Sequence, residues 1–508
     1  MSPIPIRRNF GDRPTAARNL PAKRMPLHPI APGPARHTPV WRWTGLLVLC
    51  LAVAATVSSL QSRPGLAQTG SMPPANDLAY VSRLRIHNPD PAQVVACELT
   101  LVDGAGTEAG QSLAVRLRPR VTEIVDLNDL PGLATGAYAG YLDCSHAVST
   151  VLIYGEPGDR IYTAYAGTDE QQTSWEWQVL EAYTGSGNSE FASSIIVQNA
   201  GAEPNDLTIR FLSRRDGSLI HTISLSGLSA WSTTEADLVD FPVLAEHETV
   251  RAEVASSGPS AVLVFHHDIG DDNDGSAFRF PRAAFVPSHA TATRFAYPAM
   301  LVNYQDLNTT FQVLGLGSEP VRLSVEYPGF GTQEWELTPG RVTTIGRPAF
   351  MPKGSYVASV VITASHPIAM QAHTRHANGS IAVLTATEQA GTKVSAPLIL
   401  RRRDGFSSMV TCQNVGDQAT EVIFEHVGRF ARIKYVEPGH SITRHMVQEN
   451  LLPNNYDGTM VIRAEQPIKC VVAQLRDPSA NEDAGAAPTL SEAAEVRSLL
   501  VYEGLATP

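Results

Sequence analysis

The sequence predicts an all-β protein: four tandem antiparallel β-sandwich repeats behind an N-terminal export segment. Three observations carry that expectation. The segments SRLRIHNPDP (from Ser82), SSIIVQNAGA (from Ser193), TTFQVLGLGS (from Thr309) and SSMVTCQNVG (from Ser407) each run an apolar or alternating stretch into a turn. A second mark follows each of them: SHAVSTVLIYG at Ser145, SGPSAVLVFHH at Ser257, SHPIAMQAHTR at Ser365 and EQPIKCVVAQL at Glu465. Two marks in fixed order, four times over, describe one folding unit copied along the chain. Finally, 508 residues exceed what one core serves, and 38 glycines and 36 prolines, well dispersed, suit short strands joined by turns. The expected divisions are a basic N-region with an export segment over 1–67, then repeats over 78–187, 188–301, 302–402 and 403–508.

The N-terminal segment reads as an address. From Trp43 to Leu60 the chain is uncharged and largely apolar, it follows an Arg-rich flank ending at Arg42, and Arg63 ends it. Gly65-Leu66-Ala67 then offers the small residues that a signal peptidase needs, which predicts a mature start at Gln68. The run is also just long enough to span a bilayer, so an uncleaved anchor over residues 43–60 is the alternative. Either way the repeats go outside, into the periplasm, onto the cell surface or beyond it. Residues 1–67 hold nine Lys/Arg and one acid, which leaves the remainder 30 basic against 49 acidic residues, a net of −19. That charge excludes nucleic acid as a partner and leaves the membrane reachable only through the N-terminal segment.

Cysteine placement agrees with export. Beyond the apolar run stand Cys97 and Cys144 in the first repeat and Cys412 and Cys470 in the fourth, each pair with one member early and one near the second mark. No C-x-x-C spacing suggests metal, and alternation turns all four inward, so Cys97–Cys144 and Cys412–Cys470 are the expected disulfides.

Within a repeat the turns set the strands. In the fourth, Asn414-Val415-Gly416-Asp417 is a turn and ATEVIFEHV alternates with Val422 and Phe424 on one face. RFARIKYV follows the Gly428 turn, Val436-Glu437-Pro438-Gly439 turns again, and SITRHMV, GTMVIRAEQ and PIKCVVAQL complete about six or seven strands, a β-sandwich pattern. The second-mark proline (Pro259, Pro367, Pro467) opens a run such as AVLVF or IKCVV with too few polar residues for an exposed face, hence a central strand. Strand-like runs also precede repeats two, three and four: WQVLEAY from Trp177, RFAYPAML from Arg294 and APLILRR from Ala396. Repeat one has none, while VRSLLVYEG from Val496 stands at the far C-terminus. The strand count balances if each such run closes the repeat before it, making 496–504 the last strand of repeat four.

These turns resemble those of tandem immunoglobulin-like repeats in bacterial exported and cell-surface proteins, the adhesion-related kind included. The carrying residues are the N-x-G turn (Asn199-Ala200-Gly201, Asn414-Val415-Gly416), the L-x-P-G turn (Leu337–Gly340) and the glycine before a late strand (Gly136, Gly354, Gly458). The resemblance spans about residues 78–480. It implies immunoglobulin-like sandwiches doing structural or adhesive work, and it brings no catalytic residue.

Candidate chemistry is sparse. His266-His267-Asp268 leads into an acidic stretch in which Asp272, Asn273 and Asp274 are the candidate calcium ligands and Gly275 allows a sharp turn. Gly270 and Pro281 stand where a calcium loop needs its first Asp and its Glu, which favours a plain hairpin. No H-E-x-x-H, G-x-S-x-G or phosphate loop occurs. Trp175, Trp177, Trp231 and Trp335, with Tyr162, Tyr165 and Tyr183, serve either packing or stacking on sugar rings. The expectation is a non-enzymatic structural or adhesive protein without a cofactor, recognising a cell-surface protein or glycan; a carbohydrate-binding array is the alternative.

Overall fold

Apolar and polar residues alternate through most of the chain, and there the backbone is extended; the computed structural model describes residues 47–51, 81–133, 138–155, 162–166, 176–186, 191–269, 281–287, 292–376, 381–385, 390–403, 405–426, 430–476, 500–503 and 505–506. Among the described residues every long element is a strand, and the only helical pieces are three-residue 3-10 turns such as Leu127–Asp129.

Repeat one holds β1 (Leu47–Leu51), β2 (Val81–His87), β3 (Val95–Val102), β4 (Leu113–Leu117), β5 (Thr122–Asp126), β6 (Tyr138–Cys144), β7 (Ser149–Gly155) and β8 (Tyr162–Ala166). Repeat two holds β9 (Glu176–Tyr183), β10 (Phe191–Asn199), β11 (Asn205–Leu212), β12 (Leu219–Leu228), β13 (Thr233–Asp237), β14 (Thr249–Ser256), β15 (Ser260–Asp268) and β16 (Pro281–Phe285). Repeat three holds β17 (Ala292–Val302), β18 (Leu307–Gly315), β19 (Val321–Tyr327), β20 (Gly331–Leu337), β21 (Val342–Ile345), β22 (Tyr356–His376) and β23 (Ile381–Thr385). Repeat four holds β24 (Gly391–Arg401), β25 (Phe406–Asn414), β26 (Thr420–His426), β27 (Phe430–Val436), β28 (Ser441–His445), β29 (Tyr456–Arg476), β30 (Leu500–Glu503) and β31 (Leu505–Ala506).

The same two antiparallel ladders recur. Repeat one runs β4-β3-β6-β1 and β5-β2-β7-β8, and repeat two runs β12-β11-β14-β9 and β13-β10-β15-β16. In repeats three and four a single 21-residue strand serves both ladders. The first half of β22 pairs with β17 and β19 and its second half with β18 and β23; β29 does likewise with β24 and β26, then β25 and β30. The second mark is the corner between the halves. Ser365–Pro367 fall between the registers at Ala364 and Ile368, so the missing proline N–H breaks no ladder bond. The serine of the mark ties that corner to a neighbouring strand or turn. Ser145, Ser257 and Ser365 accept the N–H of Ala96, Asp206 and Arg322 through Oγ at 3.1, 2.9 and 3.0 Å.

Three expectations change here. The runs ahead of the first marks pair forward, β9 with β14, β17 with β22 and β24 with β29, so each opens its own repeat instead of closing the one before. The C-terminal run does end the fourth ladder, as β30 on β29, but it matches β8, β16 and β23. The opening strand of repeat one, expected to be absent, is Leu47–Leu51, inside the apolar N-terminal run. The immunoglobulin pattern is also modified. Both disulfides join neighbours in one ladder, whereas the immunoglobulin bridge spans two sheets.

The turn asparagine is a buried staple. Asn199 Nδ2 donates to the carbonyls of Glu203, Leu228 and Ser229 at 2.8–3.1 Å, and its Oδ1 accepts the Gly201 N–H at 2.9 Å. Asn88 and Asn414 repeat the arrangement. Repeat three has Gly315 there, where an added Cβ would lie 3.0 Å from Val321. Asn199→Ala strands buried carbonyls, so urea denaturation should show a loss of about 2–4 kcal/mol; a change below about 0.5 kcal/mol would remove the staple from the account.

The four repeats close on themselves. β8 lies against β16 and β30, and β23 lies against the same two strands, so the last strands form a circuit. Apolar cores follow it. Val262 and Val264 of β15 fill the core of repeat two, while Ala261, Leu263 and Phe265 pack into that of repeat one. Val151 and Ile153 of β7 join the core of repeat four, Ile381 and Val383 of β23 that of repeat two, and Val471 of β29 that of repeat three. The second-mark runs are apolar on both faces because one face meets the home core and the other a neighbouring repeat.

Candidate functional site

The densest group of buried polar side chains lies where repeat two meets repeat three. It starts with a bulge in β9: the register with β14 slips between Val250 and Ala252, which leaves Leu180 and Glu181 outside regular pairing. The Leu180 N–H donates to Gln371 Oε1 on β22 at 3.1 Å, and its carbonyl accepts Arg214 Nε at 3.1 Å. Glu181 is thereby turned toward repeat three. Its carboxylate accepts Arg214 Nη1 at 2.9 Å, Arg375 Nη2 at 3.1 Å and sits 3.0 Å from His373 Nδ1. Arg214 also donates to Thr249 Oγ1 at 3.1 Å and to Gln312 Oε1 at 2.6 Å, across the junction. It is carried there by the turn after β11, whose Arg214 carbonyl accepts the Val342 N–H at 3.0 Å. Gly217 in that turn (φ 75°) admits close approach, since an added Cβ would meet the Gly340 carbonyl at 2.9 Å.

Charge and burial explain the protonation states. Burial alone would raise the Glu181 carboxyl, but His373 and the two guanidiniums outweigh it and hold it well below the usual range. Burial pushes the His373 and His266 imidazoles down, and the Glu181 carboxylate opposes that push. Arg375 donates to the Tyr183 hydroxyl and lies 5.6 Å from that ring's centroid. The Tyr183 ring meets His266 edge-on at 5.0 Å, and burial raises its phenol.

Among the described residues, this group does not assemble an activated nucleophile. Ser193 Oγ stands 2.8 Å from His266 Nδ1, yet it is fully buried and accepts the Tyr183 N–H at 2.7 Å. Among the described residues His266 Nε2 meets no carboxylate. On the other face of β15, Asp237 Oδ2 accepts Ser194 Oγ at 3.1 Å and lies 3.3 Å from His267 Nε2. The carboxylate therefore sits between hydroxyl and imidazole, whereas a serine triad places the imidazole in the middle.

His266 and His267 thus point to opposite faces and do not act as a pair. Asp272, Asn273 and Asp274, the candidate calcium ligands, lie outside the described residues, and among those described no cluster of His, Cys, Asp and Glu is grouped to hold a metal. Both expected disulfides are present, Cys97–Cys144 and Cys412–Cys470. Of the aromatic candidates, Trp177 is core, with Nε1 donating to Ser260 Oγ at 3.3 Å. Trp231 stacks on Tyr141 at 4.4 Å where repeats one and two meet, and Trp335 packs against the core of repeat three. Trp175 and the side chains of Tyr162 and Tyr165 lie outside the described residues.

Sequence reasoning missed Glu181, Arg214 and Arg375. The available signal was a carboxylate inside the otherwise apolar WQVLEAY run. A second junction, between repeats one and four, was also missed. Arg85 pairs with Asp457, Glu425 receives Arg120 at 3.0 Å and Arg463 at 3.1 Å, and Lys393 Nζ donates to the Pro89 carbonyl at 2.8 Å. His87 stands beside this junction, 3.0 Å from Thr122 Oγ1, and burial with the nearby Lys393 charge lowers it to about 4. A histidine lowered on folding contributes stability that is complete above its unfolded value near 6.5 and is lost as the pH falls toward the folded value. Thermal melts should therefore be level above pH 7 and drop between pH 6.5 and 4, less steeply in His87→Gln.

No family model matches this sequence, and no curated protein matches it. Among solved structures, a Streptomyces avermitilis α-L-rhamnosidase complexed with L-rhamnose aligns at 9% identity over 78% of this chain and 56% of that chain, with a TM-score of 0.12. The chain spans 56% of the length of that enzyme. A TM-score so low carries no argument about fold or activity.

Proposed function

We propose that this chain is an exported, non-enzymatic structural or adhesive element made of four β-sandwich repeats, immunoglobulin-like in layering and closed into a ring. The observation that carries the reading is where the polar groups are spent. Glu181, Arg214, His373 and Arg375 hold repeat two to repeat three, and Arg85 with Asp457 holds repeat one to repeat four. Such contacts suit a scaffold that must keep its repeats in fixed relation. Two disulfides fit an oxidising compartment, and the net charge of −19 beyond residue 67 suits a soluble surface that repels its own kind.

Labelling intact cells with a membrane-impermeant amine reagent tests location, and probing arrays of glycans and cell-surface proteins with the purified protein tests recognition. A labelled protein that binds one array and turns over none of a panel of glycoside and ester substrates is the expected result. A cytoplasmic protein with reduced cysteines, or turnover abolished by His267→Ala, would overturn it. Selective glycan binding would favour the carbohydrate-binding alternative.

A further inference from the structure

Three repeats share a contact that the first lacks. Six residues before the turn position stands a buried hydroxyl in every repeat: Ser82, Ser193, Thr309 and Ser408. Ser193 Oγ accepts the N–H of Tyr183 at 2.7 Å, Thr309 Oγ1 that of Leu301 at 3.0 Å and Ser408 Oγ that of Leu400 at 2.7 Å. Those donors lie at the ends of β9, β17 and β24, the opening strands. Ser82 Oγ, fully buried, has no partner among the described residues.

The seat beside β6 is held by β1, with residues 52–80 between it and β2. In the other repeats only 184–190, 303–306 and 402–405 separate the opening strand from the next. The long connection contains the Gly65-Leu66-Ala67 cleavage pattern, and Leu47–Leu51 is the middle of the apolar export run. A segment removed during export cannot also complete a ladder outside. Eight residues before Ser82, the donor-to-hydroxyl spacing of repeats three and four, the sequence has Pro74, which has no N–H to give.

We propose that in the exported protein the free edge of β6 is a strand-acceptor site, occupied by an extended apolar strand from another protein chain. That strand runs antiparallel along Tyr138–Leu142, as Leu47–Leu51 does, and gives one N–H to Ser82 Oγ. Its apolar character follows from the strands in equivalent seats, whose Trp177, Val179, Phe295, Tyr297, Val394 and Ala396 are all buried. The chain's own C-terminal strands are already engaged, β30 on β29 and β31 on β24.

The inference rests on the reading that export removes residues 1–67, so N-terminal sequencing of the exported protein comes first. The probe is a synthetic peptide of the sequence over 174–184, SWEWQVLEAYT. One peptide should bind per chain and slow amide exchange at Tyr138–Leu142 about ten-fold or more, and a scrambled peptide should do neither. Ser82→Ala should weaken binding about ten-fold while leaving the unbound protein as stable or more so, because it removes an unpaired hydroxyl. Ser193→Ala, the same change in a filled seat, should lower the melting temperature. A chain that retains Leu47–Leu51 would overturn the cleavage reading and the vacancy together. A cut chain that ignores the peptide, or whose Tyr138–Leu142 amides are already protected, would overturn the strand-acceptor site alone.

Discussion

Glu181→Ala is expected to lower the unfolding free energy of repeats two and three by about 3–5 kcal/mol, the largest effect of any single substitution at the junctions. The carboxylate is buried, and its removal leaves the mostly buried Arg214 and the fully buried His373 facing each other without a negative charge. Arg375 is nearly half exposed and can turn to water, so Arg375→Lys should cost no more than about 1 kcal/mol. Glu181 and Arg214 touch, so the Glu181→Gln/Arg214→Met double variant should lose less than the sum of the singles. Urea denaturation followed by tryptophan fluorescence reads the change, since Trp177 lies on the same strand. A wild-type midpoint in Glu181→Ala would mean that the junction is held by apolar contacts alone.

The second large effect is expected from the fourth repeat's disulfide. Cys412→Ala/Cys470→Ala opens a loop of 58 residues, and the chain-entropy account gives about 4 kcal/mol for a closure of that size. Both cysteines are fully buried, so a reductant reaches them only after the repeat opens. Native protein should therefore resist dithiothreitol at 25 °C and lose its disulfide abruptly near the melting transition. Cys97–Cys144 closes 47 residues at slightly greater exposure and should be reduced first. Reduction of Cys412–Cys470 in the cold, without loss of structure, would contradict this.

What was legible in the sequence was local. Alternation over a few residues predicted the strands and turned the four cysteines inward, and both expected pairs are direct register partners, Cys97 with Cys144 and Cys412 with Cys470. The destination of the opening strands was not legible, because WQVLEAY can pair with either neighbour and only the ladder chooses. Counting strands by appearance then matched the C-terminal run to the wrong set and hid the strand at Leu47–Leu51, whose apolar residues read equally well as an export signal. The junctions were hidden for a different reason. Arg85 and Asp457 are 372 positions apart and Glu181 and Arg375 are 194 apart, and no periodicity or turn chemistry links residues at such distances.

A closed circuit also decides how the molecule bears load. In repeats strung end to end, tension passes through every one in series and the weakest gives way first. Here repeats one and four grip each other through Arg85–Asp457 and Arg120–Glu425, so a pull applied across those two repeats meets a clasp before it meets any ladder. The clasp is part ionic and part apolar, since Val151 and Ile153 of β7 pack into the core of repeat four, so salt weakens the half-exposed Arg120–Glu425 pair more than the buried remainder. A chain closed this way gives first at the contact between its first and last repeats, ahead of the ladders within them.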